Sequence, residues 1–188
     1  MPELWEGCFI GDKGDMLAAL RVCPRLMGDL RRVGWDELRA LPLSSEHTNR
    51  ASGAFYHSHT YAEAFLESLG GIELVHSPGG NASTKPRRLA FSLDDDLESH
   101  LGVADYYVMQ LLGQTTPFPV ATVETFIVFV DHTAQKNLLL EREFRSCYRS
   151  ENPFKLIEYV FYGTADPAVT AVPLCAADVP PEFRRRFA

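Results

Sequence analysis

The stretch AFYHSHT, residues 54–60, stands between a polar connection and an amphipathic segment, and the rest of the chain is interpreted from it. Its pattern predicts a short strand that carries Tyr56, His57 and Ser58 to one spot before the chain turns into a helix. A strand leading into a helix is a rigid support for a binding group. We therefore expect this tip to form part of a site.

The segment after this tip carries the clearest helix signals in the chain. Thr60 followed by Glu63 predicts a capping box, and apolar residues then recur at helical spacing up to a pair of glycines. The polar residues 44–52 (SSEHTNRAS) predict a connection just before this unit. We therefore divide the chain into a helical N-terminal cover segment, residues 1–50, and an α+β domain, residues 51–188.

The N-terminal segment contains two predicted amphipathic helices. Asp15 is the predicted N-cap of a helix that begins at Met16. Pro24 ends that helix and starts the next one, which is expected to stop near Gly34. The segment contains no motif with chemistry of its own, so we interpret it as a cover packed on the main domain or as a surface for a partner.

Runs of β-branched and aromatic residues predict that strands dominate after residue 50, with helices inserted between them. The predicted strands are residues 88–92, 122–130, 156–162 and 168–174, and residues 72–75 form a short apolar run. Residues 94–104 predict a helix with acidic residues in its first turn. Residues 134–145 predict a helix or a lid, and residues 104–112 fit a helix or a strand. This mixture predicts an α+β fold.

The composition excludes several classes of function. The net charge is -7, so the chain lacks the basic excess that drives binding to nucleic acid or to an anionic membrane. Its apolar runs are too short to span a bilayer. The four cysteines are widely spaced and form no CxxC pair, which argues against a zinc ribbon. We expect reduced thiols in a cytoplasmic protein.

One pair of residues allows a metal hypothesis. His57 and His59 would point to the same face of a strand, as metal ligands do. A third ligand would be Asp131, His132 or Glu124. Since an HxH pair is a weak signal by itself, we predict no metal and keep a His57/His59 metal-dependent enzyme as a second alternative.

Four pieces of the chain, in order, resemble one known family. They are residues 55–58 (FYHS), residues 78–92 with a Gly/Asn-rich loop before a strand, residues 125–130 (TFIVFV) and residues 147–157 (CYRSENPFKLI). Over residues 54–165 they are similar to the small ADP-ribosyltransferases that inactivate rifampin, within the diphtheria-toxin-like superfamily. The last piece is the most specific. The chain departs from the family pattern at Ser58, where a glycine is usual, and at Ala90, where a tyrosine is usual.

The resemblance implies a fold and a site. The fold would have two small packed antiparallel or mixed sheets with inserted helices, which grip NAD between them. His57 and Asp131 would be catalytic, with Glu143 or Glu151 as alternative acids, because a carboxylate stabilises the oxocarbenium-like centre as nicotinamide leaves. The residues implied to bind NAD are Tyr56, His57, Ser58, Asn81, Arg88, Phe91 and Tyr107.

Two functions from different classes follow. The first is an NAD-dependent ADP-ribosyltransferase-like protein, of the toxin or effector kind, that transfers ADP-ribose to an unidentified macromolecule or small molecule. The alternative is a non-catalytic acidic protein-binding module, such as an inhibitor, an immunity protein or an accessory protein. The alternative follows from the net charge of -7, since an acidic surface can occupy a basic site on a partner.

Overall fold

The computed structural model describes residues 12–43, 56–78, 85–92, 117–131, 136–142 and 145–173. Four helices lie in these ranges: α1 Lys13–Arg21, α2 Pro24–Arg32, α3 Thr60–Leu69 and α4 Pro153–Phe161. Seven strands lie in them: β1 Glu73–His76, β2 Arg87–Ala90, β3 Phe118–Val123, β4 Phe126–Val130, β5 Asn137–Glu141, β6 Cys147–Ser150 and β7 Thr170–Val172. No helix in these ranges has the length and apolar character needed to cross a membrane.

The described strands form one antiparallel sheet in which each strand pairs with its neighbours in sequence, from β1 to β7. The predicted mixed α+β class is confirmed. The predicted division into two packed sheets is not what these strands show. Because β3 and β4 pair directly through a tight turn, they belong to one continuous sheet.

Residues 122–130 were predicted as one strand, but they contain the turn between β3 and β4. Val123 pairs with Phe126, so Glu124 and Thr125 form a two-residue connection. Glu124 has a positive φ of 55°, a left-handed conformation that glutamate adopts infrequently. The prediction failed because the turn contains neither glycine nor asparagine, the residues that usually announce it.

Residues 156–162 were predicted as a strand and are mostly helix α4. Asn152 is its N-cap, with Oδ1 accepting a hydrogen bond from Phe154 N at 2.9 Å. A proline follows at the first helical position, where its missing N–H costs nothing. The buried side chains of Phe154, Ile157 and Phe161 lie on one face at helical spacing. The aromatic and β-branched content of the segment misled the strand prediction, because packing against the sheet decides its conformation.

Residues 134–145 were predicted as a helix or a lid, yet residues 137–141 form β5. Leu138, Leu139 and Leu140 are all buried, although consecutive side chains of a strand point to opposite faces. A strand buried on both faces has a continuous apolar run instead of an alternating one. Burial on both faces therefore outweighs the helical preference of leucine.

The predicted start of α1 is wrong by one turn, whereas α2 begins at Pro24 as predicted. Asp12 is the N-cap of α1: Asp12 Oδ1 accepts from Asp15 N at 3.1 Å, and Asp15 Oδ2 accepts from Asp12 N at 3.4 Å. This reciprocal pair is a capping box. Met16 and Leu26, one from each helix, are fully buried in the same core as the sheet.

Helix α4 fixes the N-terminal helices through polar contacts as well as apolar ones. At its start, Asn152 Nδ2 donates to Ala19 O at 2.8 Å. In its middle, Glu158 Oε1 accepts from Leu26 N at 3.3 Å and so caps the start of α2. At its end, the Tyr162 hydroxyl donates to Asp29 of α2 at 2.6 Å.

His76 packs where β1, α2 and the end of α4 meet. Its ring lies 5.1 Å from the Tyr162 ring in an edge-on arrangement and 5.7 Å from the Phe161 ring. Burial lowers the pKa of His76, and the nearby guanidinium groups of Arg25 and Arg87 lower it further. The folded protein therefore favours the neutral imidazole.

This environment predicts a pH-dependent contribution to stability. Above the unfolded pKa of about 6.5, His76 is neutral in both states. As pH falls below that value, the unfolded chain binds the proton more readily than the folded chain, so the free energy of unfolding decreases. We expect wild type to lose more stability between pH 7.5 and pH 5.5 than His76→Gln, as measured by urea denaturation.

The matched substitution His57→Gln, at an exposed histidine, controls for the effect of exchanging the side chain itself. Equal losses of stability in wild type and His76→Gln would contradict the prediction.

Candidate functional site

One end of the sheet collects residues that are distant in sequence. β4 ends and β5 begins there, β6 ends there and β7 begins there. Asp131 follows β4, Lys136 precedes β5 and Glu151 follows β6. We call this the site end of the sheet.

Residues 56–59 lie outside the sheet and contact its site end through Tyr56 and His59. The Tyr56 ring is 2% exposed and packs on the Phe129 ring at 5.7 Å. His59 Nε2 lies 3.4 Å from the carbonyl oxygen of Val130, the last residue of β4. This segment is therefore anchored at both ends, by Tyr56 in the core and by His59 at the end of β4.

His59, and not Thr60, is the N-cap of α3. Its Nδ1 accepts a hydrogen bond from Ala62 N at 3.3 Å. An acceptor at Nδ1 places the ring proton of neutral histidine on Nε2, which can then donate to the Val130 carbonyl. Both ring nitrogens thus hold the start of α3 against β4.

The other two tip residues reach solvent. His57 and Ser58 are exposed, and the Ser58 hydroxyl donates to Glu63 Oε1 at 2.9 Å. Asp131, the acid that the resemblance implies, lies at the same end of the sheet but is only 2% exposed. The structure thus brings His57, Ser58 and Asp131 to one end, with the carboxylate withdrawn from solvent.

Arg88 and Glu124 lie at the opposite end of the sheet. Arg88 N donates to Glu124 Oε1, and Arg88 O accepts from Glu124 N at 2.9 Å. The Arg88 guanidinium pairs with Glu73 at 2.7 Å. The length of β4, about 16 Å for five residues, separates this end from His57 and Asp131. The structure therefore does not assemble Arg88 or Glu124 with the tip.

The remaining predicted residues divide into two groups. Phe91, the implied stacking aromatic, is 1% exposed, and its ring lies 6.0 Å from Phe65 in the core. Asn81, Tyr107 and the alternative acid Glu143 lie outside the described residues, as does the metal-ligand candidate His132.

Neither metal nor thiol chemistry finds support in the described part of the chain. It contains no group of three or more His, Cys, Asp or Glu side chains placed to hold a metal ion. Cys23 and Cys147 are buried, and burial raises the pKa of each thiol to about 12. Such thiols stay protonated at neutral pH and are poor nucleophiles.

A cleft of about 730 Å³ opens at the site end, beside the start of α4. Ligand sites commonly have volumes of roughly 300–1,000 Å³. We call it the β5–β7 cleft. Its lining includes Lys136, Leu138, Arg149, Glu151, Lys155 and Thr170.

The lining of the β5–β7 cleft is positive although the chain is acidic. Among the described residues that line it, Lys136, Arg149 and Lys155 carry positive charge and Glu151 carries negative charge, within a chain of net charge -7. Arg149 Nε donates to Thr170 Oγ1 at 3.4 Å, which links β6 to β7. Sequence reasoning missed this cluster of cations. Its one available signal was the resemblance over residues 147–157, which includes Arg149 and Lys155.

No protein-family model, no curated protein and no solved structure matches this chain. The assignment of function therefore rests on the geometry and charge of the sites described above.

The role of His59 as a cap can be tested by substitution. His59→Ala should lower the free energy of unfolding by about 1 kcal/mol, as loss of an N-cap typically does. His59→Asn keeps a capping oxygen and should recover most of that loss. Urea denaturation followed by circular dichroism measures both.

The neighbouring His57→Ala is the matched control, because it removes an exposed histidine and should change stability by less than about 0.5 kcal/mol. If His57→Ala destabilises the protein as much as His59→Ala, the capping role is wrong.

Proposed function

We propose that the protein binds a small anionic ligand of the nucleotide class in the β5–β7 cleft, with ADP-ribose and NAD as the first ligands to test. The observation that carries the proposal is the convergence of Lys136, Arg149 and Lys155 on one cleft of an otherwise acidic chain. Charges of one sign inside a cleft with low-dielectric walls focus the field on a ligand of opposite sign.

The chemistry of the lining fits a phosphorylated ligand with an aromatic or sugar part. The planar guanidinium of Arg149 can donate two parallel hydrogen bonds to a phosphate. Lys136 and Lys155 add point charges. Val22 and Leu138 give the cleft apolar surface on which a ring can rest.

ADP-ribosyl transfer is the reaction that the resemblance implies, and it stays a prediction. The most specific piece of the resemblance, residues 147–157, supplies Arg149 and Glu151 to the cleft. Glu151 is exposed at the cleft, whereas Asp131 is buried. In this proposal Glu151 is the carboxylate that a bound NAD would meet, where it can stabilise positive charge on the ribose as nicotinamide leaves.

A non-catalytic protein-binding module is the second candidate. Leu38 is 91% exposed, and Leu41 and Leu43 nearby are 41% and 37% exposed, beside the carboxylate of Asp36. Exposed apolar side chains next to acidic groups are suited to a partner with a basic, partly apolar surface.

Calorimetric titration of ADP-ribose and NAD tests the first proposal. ADP-ribose should bind more tightly than NAD, because it lacks the positively charged nicotinamide ring that the cationic lining disfavours. Arg149→Gln should weaken the binding of ADP-ribose about tenfold or more, as the loss of a charge-assisted hydrogen bond does.

Three comparisons make the result decisive. Arg32→Gln removes an exposed guanidinium on α2 and should leave binding unchanged. Loss of binding in His57→Ala but not in Arg149→Gln would move the site to the tip. Absence of binding in wild type would contradict the proposal, and capture of a basic protein by wild type but not by Leu38→Glu would then favour the second candidate.

A further inference from the structure

One of the cations of the β5–β7 cleft already forms an ion pair with a carboxylate. Lys155 Nζ lies 3.0 Å from Asp166 Oδ2, and the two side chains are 24% and 20% exposed. Lys155 lines the cleft, whereas Asp166 stands at its margin in the connection between α4 and β7. The ion pair is therefore partly shielded from water, where it is stronger than a pair on the open surface.

Asp166 is held in place by backbone groups as well as by the lysine. Its Oδ1 accepts from Ala168 N at 2.8 Å, and its carbonyl oxygen accepts from Val169 N at 3.0 Å. Ala168 also lines the cleft. The Ala168 N–H, followed by Lys155, lowers the pKa of Asp166, and Asp166 in turn raises the pKa of Lys155. Both groups are therefore charged at neutral pH.

We propose that Asp166 is a built-in competitor that sets the strength of anion binding in the β5–β7 cleft by holding the ammonium group of Lys155. This inference rests on the proposed function. A phosphorylated ligand must share or displace a carboxylate whose position is already fixed. Asp166 is thus a residue that tunes affinity through its ion pair with Lys155.

The substitution Asp166→Asn removes the competing charge and keeps the turn. The asparagine Oδ1 can still accept from Ala168 N, as the side chains of Asn and Asp do alike in such turns. We expect Asp166→Asn to bind ADP-ribose about three- to tenfold more tightly than wild type, because the ammonium group of Lys155 is then no longer paired with a carboxylate and can pair with the ligand.

The test is a double-substitution cycle by calorimetric titration of ADP-ribose at low ionic strength. The four proteins are wild type, Asp166→Asn, Lys155→Met and the variant with both substitutions. If Asp166 acts through Lys155, then Asp166→Asn should change affinity by less than about twofold in the Lys155→Met background. Glu73→Gln removes the same charge at the far end of the sheet and is the matched control.

The outcomes separate this inference from the function on which it rests. The inference is supported if Asp166→Asn binds ADP-ribose more tightly than wild type and this gain disappears in the Lys155→Met background. It is also supported if Asp166→Asn binds ADP-ribose and wild type shows no binding. Wild-type binding without tightening overturns it while leaving the proposed function intact. If Asp166→Asn increases the affinity for ADP-ribose equally in the Lys155→Met background, or if Glu73→Gln increases it as much, the effect comes from net charge alone. That result also overturns the inference. No binding by any of the four proteins overturns both.

Discussion

The packing of α4 across the sheet is the contact on which the other elements depend. The helix lies against β2 through β6, and its Phe154 ring stacks on Phe65 of α3 at 4.9 Å and 12° between planes. Phe154, Ile157 and Phe161 are fully buried beneath it. Burial of each such side chain contributes about 1.5–3 kcal/mol. Without that apolar face, the caps and hydrogen bonds that α4 offers to α1 and α2 would have no fixed position.

The same packing shapes the cleft. β6 ends at Ser150, and α4 begins at Pro153, so the chain turns sharply between them. The Ser150 hydroxyl accepts from Asn152 N at 3.2 Å, while Asn137 Nδ2 lies 3.3 Å from Ser150 O and 3.0 Å from Glu151 O. The corner is thus tied to both the helix and the neighbouring strand. A wall that is fixed before the ligand arrives lowers the entropic cost of binding.

Local signals predicted the elements whose conformation local chemistry decides. The helix over residues 60–69 and the strands β2 and β7 follow from glycines, periodicity and β-branched runs. The turn at Glu124 was missed because a left-handed glutamate gives no local signal. The strand state of residues 137–141 depends on burial of both faces, which a sequence pattern does not reveal.

Helix α4 shows the limit of such reasoning most clearly. Asn152 followed by a proline is a helix-start signal, and it was present in the sequence. The β-rich composition of the next residues outweighed it in the prediction, whereas in the fold the buried face outweighs composition. The cleft could not be predicted from the sequence for a related reason. Lys136, Arg149 and Lys155 meet because of strand register and of the corner before α4, and neither can be derived from spacing in the sequence.

The distribution of charge explains why an acidic chain can contain a site for an anion. The net charge of -7 is a sum over the whole chain. A ligand in the cleft is within a few ångströms of the cations that line it, whereas charges beyond a Debye length of about 10 Å at 0.1 M salt are largely screened. The distant carboxylates therefore act mainly on the approach of an anionic ligand and slow it most at low ionic strength. Once the ligand is bound, the ion pair between Lys155 and Asp166 affects its affinity more than the net charge of the chain does. The two groups are 3.0 Å apart, far inside the screening distance.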